Sequence, residues 1–237
     1  MMINNKKKLW NLISYIFIYI VLQFVLVGAY SAWYVIEYGV TPTTEDIFQP
    51  AIYISLVTSL ILFIVMFLIN RRKIVHDAKN LPRFFLGIVF GGFFIILGIN
   101  IALNIIYQQL GIDGTSLNQE YVIQMFNTNP LAMAIPTVLF IPLIEEIVFR
   151  GVILEFFEQK FNVYVGIIVS SLLFAYVHTM DVESLIYMPV YFCLGSVFGI
   201  MYVKYKKNIL VPVGIHLINN LFSFISIMLL QLLENFI

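Results

Sequence analysis

The sequence predicts an all-α fold, a polytopic membrane helical bundle of about seven or eight spans. Three observations predict it. Of the 237 residues, 61% are hydrophobic and only 11% are charged, whereas a soluble domain carries roughly a quarter charged residues. The apolar residues gather into long stretches, each near the roughly 20 residues a helix needs to cross a bilayer. The basic residues all fall on one side once the chain is threaded through those stretches. The whole chain, 1–237, reads as one integral-membrane domain, with its chemistry concentrated in about 130–225.

Taken in order, the stretches lie at about 9–35, 51–69, 84–106, 131–154, 163–180, 184–203 and 209–233. The first follows Lys6, Lys7 and Lys8 and is too long for the apolar region of a cleaved signal peptide, so a retained N-terminus is expected. The second runs into a basic loop with Arg71, Arg72, Lys73, His76, Lys79 and Arg83. The third carries Gly87 and Gly91, and the sixth Gly195 and Gly199; both GxxxG spacings are expected to be close-packing helix faces. Between the third and fourth, 107–129 is the longest polar break, expected to be an external loop with some local helix. The fourth contains Pro136 and Pro142, which predict a kink or an interfacial turn. The lone Cys193 excludes an internal disulfide framework and reads as a packing residue.

With the N-terminus in the cytoplasm, the 71–83 cations, Lys160, Lys204, Lys206 and Lys207 share its side. The far loops carry Glu37, Glu45, Asp46, Asp113, Glu120, Asp181 and Glu183. This is the positive-inside pattern of a plasma-membrane protein, and a short chain without added domains points to a bacterium. The expected partners are membrane lipids and a membrane-associated peptide or protein. A formal net charge of zero gives no field for nucleic acid.

The stretch LIEEIVFRGV, 143–152, breaks the apolar pattern. A charge at mid-helix costs about 2.5–3.5 kcal/mol on insertion scales, so Glu145, Glu146 and Arg150 must be paired or face a polar cavity. Glu146 and Arg150 stand at i and i+4 with the acid first, the better orientation for a pair. Glu145 lies about 100° further round the helix and points elsewhere. His178 closes the fifth stretch, one turn after Phe174; His216 and Asn220 share a face of the last. Taken singly, such residues are most often helix–helix glue. Gathered on three spans, they make a candidate site. No GxSxG, HExxH or CxxC is present. A carboxylate base with two imidazoles and an amide suits water activation and oxyanion stabilisation. Glu145, His178 and His216 also form a two-His-one-Glu set that would suit zinc.

These residues resemble a known family. Glu145-Glu146-x-x-x-Arg150, Phe174-x-x-x-His178 and His216-x-x-x-Asn220 match, in order, the EExxxR, FxxxH and HxxxN motifs of the CPBP intramembrane proteases, the CAAX-protease and bacteriocin-processing (Abi) group. The resemblance covers about 130–225. It implies a membrane endopeptidase, with Glu145 activating water and Glu146 and Arg150 orienting it. His178, His216 and Asn220 would line the site, binding a divalent metal or stabilising the oxyanion; Asn, a poor zinc ligand, fits the second role. The implied substrate is a membrane-associated peptide: a bacteriocin or pheromone precursor, or a prenylated tail. A non-catalytic immunity or scaffold protein is the alternative, and a proton-coupled transporter a third reading, weakened by the lack of an inverted repeat.

One expectation strains against another. At 1.5 Å per residue, Glu145 lies about 21 Å below the outer end of its span, whereas His178 sits near the outer end of its own. Straight rods cannot join them. The depth of Glu145 and the basic loops favour access from the cytoplasmic side.

Overall fold

The computed structural model describes residues 10, 14 and 25–234. Lys6, Lys7, Lys8 and much of the first expected span lie outside the described residues, although 25–38 is helical. Seven helices follow: α1 (Thr44–Lys79), α2 (Phe85–Gln109), α3 (Leu117–Thr128), α4 (Pro130–Lys160), α5 (Val163–His178), α6 (Met188–Lys204) and α7 (Leu210–Glu234). A 3-10 turn, Glu183–Tyr187, leads into α6. No strand occurs among the described residues.

Short polar residues start these helices by accepting from free N–H groups of the first turn. Thr43 forms a capping box with Asp46 before α1. Ser116 caps α3, Asn129 caps α4 ahead of Pro130, and Asn162 caps α5. The 71–79 segment, expected as loop, instead forms the last turns of α1, with the His76 side chain 73% exposed.

Helices α1, α2, α4, α6 with its 3-10 turn, and α7 are long and apolar enough to cross a membrane. The fifth expected span is not. Helix α5 has 16 residues, about 24 Å, against a hydrocarbon core of roughly 30 Å. Helix α4 is the centre of the bundle: half of its apolar window is buried, 50% against 11% for α7. Helices α5 and α6 pack most closely, because a Cβ on Gly195 would lie 3.1 Å from Ser171 Cα. Gly195 and Gly199 thus form the contact face that their spacing predicts. Gly87 and Gly91 do not: among the described residues nothing lies within 4 Å of where their Cβ atoms would stand, and the close approach of α2 to α7 is made by Gly92 against Ile215.

The prolines of α4 act differently from the expected kink. Two π-helical turns, Ile135–Phe140 and Phe149–Leu154, flank a short α-helical segment, Ile141–Val148, that holds both glutamates. Ile141 N–H donates to Pro136 O, five residues back. Pro142 has no N–H for the next carbonyl, and Asn220 Nδ2 on α7 donates to that carbonyl, Thr137 O, at 2.9 Å. A side chain from another helix thus completes the bulge, one of the known ways a helix ladder is repaired.

Candidate active site

The short helical segment between the π turns aims adjacent carboxylates in different directions. Glu146 faces inward and is fully buried, as is Arg150. Arg150 Nε lies 3.2 Å from Glu146 Oε2, and its Nη2 donates to Gly195 O at 2.7 Å. The guanidinium carbon also lies 5.0 Å from the Phe174 ring centre and 5.3 Å from that of Phe198, contacts that favour a cation. Glu146 Oε1 accepts from His216 Nδ1 at 3.0 Å. One arginine and one glutamate therefore tie α4, α6 and α7 together.

Glu145 points into a cavity of about 450 Å³, which Thr137, His178, His216, Asn219 and Asn220 also line. His178 Nε2 lies 3.8 Å from Glu145 Oε1, and His216 Nε2 lies 3.8 Å from Glu145 Oε2. The remaining nitrogens are occupied. His178 Nδ1–H donates to Phe174 O at 2.7 Å, as it must, since a carbonyl only accepts. His216 Nδ1 faces Glu146. In the neutral tautomer each Nε2 is then an acceptor. Three acceptor groups meet with gaps too long for direct hydrogen bonds and suited to shared solvent. Glu145 Oε2 is buried without a partner. Aromatic rings hold the imidazoles in place: His178 stacks on Tyr191 at 4.9 Å and His216 on Phe198 at 4.7 Å between centroids.

The depth conflict resolves through α5. Because that helix stops after 16 residues, its last residue ends inside the molecule rather than at the outer surface. Helix α3 and the 3-10 turn cover that end: Leu117 N–H donates to Ser184 Oγ at 2.9 Å, and the Ser116 and Tyr191 hydroxyls pair at 2.8 Å. His178 thereby reaches the depth of Glu145.

The cavity does not open where the sequence suggested. Its walls come from the late turns of α2, the 114–119 loop, α3, and the starts of α6 and its 3-10 turn. None of its described lining residues belongs to the basic segments 71–83, 155–162 or 204–208. Access is thus from the end that carries Asp113, Glu120, Asp181 and Glu183, opposite to the expected side. Hydrogen bonds from Ser184 hold the Asp181 carboxyl below its usual range.

Residues that sequence reasoning passed over complete the frame. Tyr191 holds His178, Phe198 holds His216 and Gly195 offers its carbonyl to Arg150. Ser170 donates to Phe149 O, the first carbonyl of the second π turn, at 2.8 Å. Only Gly195 carried a signal, as a small residue in a GxxxG spacing. The pairing of Ser116 with Tyr191 spans 75 positions and had none.

Two imidazoles and a carboxylate are a zinc-type donor set, and both Nδ1 atoms are held as outer partners hold metal-bound histidines. The spacing does not fit. The two Nε2 atoms approach different oxygens of Glu145, and among the described residues no three His, Cys, Asp or Glu side chains are placed to hold a metal ion.

Comparison with known proteins supports the resemblance. Residues 127–222 match the family model for type II CAAX prenyl endopeptidase Rce1-like proteins. The chain is 28% identical over 238 residues to a Bacillus subtilis (strain 168) protein named as membrane peptidase YdiL, covering 98% of this chain and 93% of that protein. It is 30% identical over 228 residues to the membrane-embedded CAAX protease MroQ of Staphylococcus aureus (strain USA300), covering 90% of this chain and 87% of that one. No solved structure matches. The similarity to both relatives along nearly their whole length, together with the matched motif region, means that this chain belongs to the Rce1-like family of CAAX endopeptidases, a family of membrane peptidases.

Proposed function

We propose that this protein is an intramembrane endopeptidase in which Glu145 activates water against a peptide bond of a membrane-associated substrate. One observation carries the reading: the Glu145 carboxylate stands in a cavity with an imidazole Nε2 at 3.8 Å on each side. Water held among these acceptors gives one proton to Glu145 as its oxygen adds to the carbonyl carbon. Glu145 then passes that proton to the departing nitrogen, the C–N bond breaks, and an amine and a carboxylic acid leave. Asn220 has one amide hydrogen engaged by Thr137 O; the second supplies a donor for the oxyanion. Glu146 and Arg150 act as positioning residues, fixing His216 and the helix that carries Glu145. No step passes through a metal.

The charge bias would place the cavity mouth on the outer side of a bacterial plasma membrane. An exported peptide precursor, of the bacteriocin or pheromone kind, is then the favoured substrate class over a cytoplasmic prenylated tail.

The test uses the full chain in lipid nanodiscs, wild type and Glu145→Gln, with peptide cleavage read by mass spectrometry. Loss of the base is expected to lower the rate about 10²–10⁴-fold, with an unchanged unfolding midpoint. Equal rates in the two proteins would remove Glu145 from the chemistry. A cellular phenotype retained by Glu145→Gln would favour a binding role instead.

A further inference from the structure

We propose that Asn100, Asn104 and Asn219 form a subsite for the backbone of an extended peptide, so that this chain cuts internal bonds rather than bonds next to a free carboxyl terminus. The inference rests on the endopeptidase reading and specifies its substrate.

The cavity lacks what a terminal carboxylate requires. Among its described lining residues there is no Lys or Arg. Arg150, the nearest guanidinium, is fully buried and committed to Glu146 and Gly195 O. The N-terminus of α3 lies on the rim, but side chains already engage its leading N–H groups: Leu117 N–H donates to Ser184 Oγ, and Gln119 N–H to Ser116 Oγ. The flanking loops carry only acids, Asp113, Glu120, Asp181 and Glu183. A carboxylate a few residues from the scissile bond would enter this space unpaired, beside Glu145, at a large desolvation penalty.

What lines the cavity instead is amide. Asn100 and Asn104 stand on α2, and Asn219 with Ser223 on α7. Each pair is at i and i+4, about 6 Å apart along its helix axis. Peptide groups facing one way along an extended strand recur every two residues, at about 6.8 Å. The pitches match closely enough for successive side-chain amides to meet successive backbone groups. A carboxamide both donates and accepts, so it complements a peptide unit without selecting its side chain. Asn100 Oδ1 is buried without a partner, an acceptor that a substrate N–H would satisfy.

The experiment uses the full chain in nanodiscs and a randomised pool of peptides about 14 residues long, prepared with a free carboxyl terminus or as the C-terminal amide. Glu145→Gln supplies the background. Cuts that depend on Glu145 are expected four or more residues from the carboxyl end, at rates equal within about twofold in the two pools. One recovered peptide is then assayed with Asn100→Leu/Asn104→Leu. Loss of two backbone hydrogen bonds should raise KM about tenfold or more, with kcat within about twofold. Cuts confined to the last three residues and abolished by amidation would overturn the proposal, as would an unchanged KM in the double variant. The pool comparison needs only wild-type protein, so it stands even if the variant fails to fold. No Glu145-dependent cleavage in either pool would instead bring down the endopeptidase reading.

Discussion

The two ends of this bundle are built on opposite principles. At the basic end, polar groups are spent on one another. Asp77, 5% exposed, accepts from Ile209 N–H at 2.8 Å and from Lys73 at 3.2 Å. Asn208 donates to Asp77 O and Asn80 O, Lys207 pairs with Glu158 at 2.7 Å, and Tyr202 donates to Glu155 at 2.6 Å. These contacts clamp α1, α4 and the α6–α7 turn. They also hold Lys206 and Lys207 at φ of +57° and +59°, a conformation that costs a non-glycine residue about 1–2 kcal/mol. At the acidic end, Glu145, the two Nε2 atoms and Asn100 Oδ1 keep capacity in reserve. The difference teaches where stability and chemistry reside. One end is satisfied and closes the fold, and the other is left incomplete for a substrate to complete.

Substitutions can break that division or sharpen it. Arg150→Met should have the largest effect on stability, because it strands buried Glu146 between the two ends. A loss of about 3–5 kcal/mol is expected in detergent unfolding, together with loss of cleavage. Asp77→Ala should cost about 2–3 kcal/mol by freeing a buried N–H and an ammonium, while kcat per folded molecule stays unchanged; a fall in kcat would show that the ends are coupled. Asn162→Ala, which removes the cap of short α5, should cost about 1 kcal/mol and lower the unfolding midpoint slightly. Stringent chelation, verified by elemental analysis, should leave activity within about twofold, whereas loss restored by added zinc would return His178 and His216 to a ligand role. Orientation is checked by impermeant maleimide on intact cells in a Cys193→Ala background: Asp113→Cys should label and Lys79→Cys should not.

Much of the fold was legible because bilayer thickness writes itself into apolar run length. The Glu146–Arg150 pair was legible because i and i+4 spacing fixes it locally. The shortness of α5 was not, since apolar residues continue past His178 to Met180 and hydropathy cannot distinguish a helix that ends under a cover from one that crosses. The π turns were hidden for another reason. Pro142 announces a missing donor, but the repair comes from Asn220, 78 positions later. The side of access was misread because charge counts locate the membrane faces, not the hollow between helices.

The two π turns around Glu145 carry a consequence for how such a centre can change. A π turn holds one more residue than the α turn it replaces, so each behaves as a single inserted amino acid absorbed without disrupting the chain. Deleting one residue from 135–140 would restore regular winding there and swing everything before it by about 100° relative to the glutamates. The geometry of this centre is therefore adjustable by insertion and deletion, in steps no side-chain replacement can reproduce.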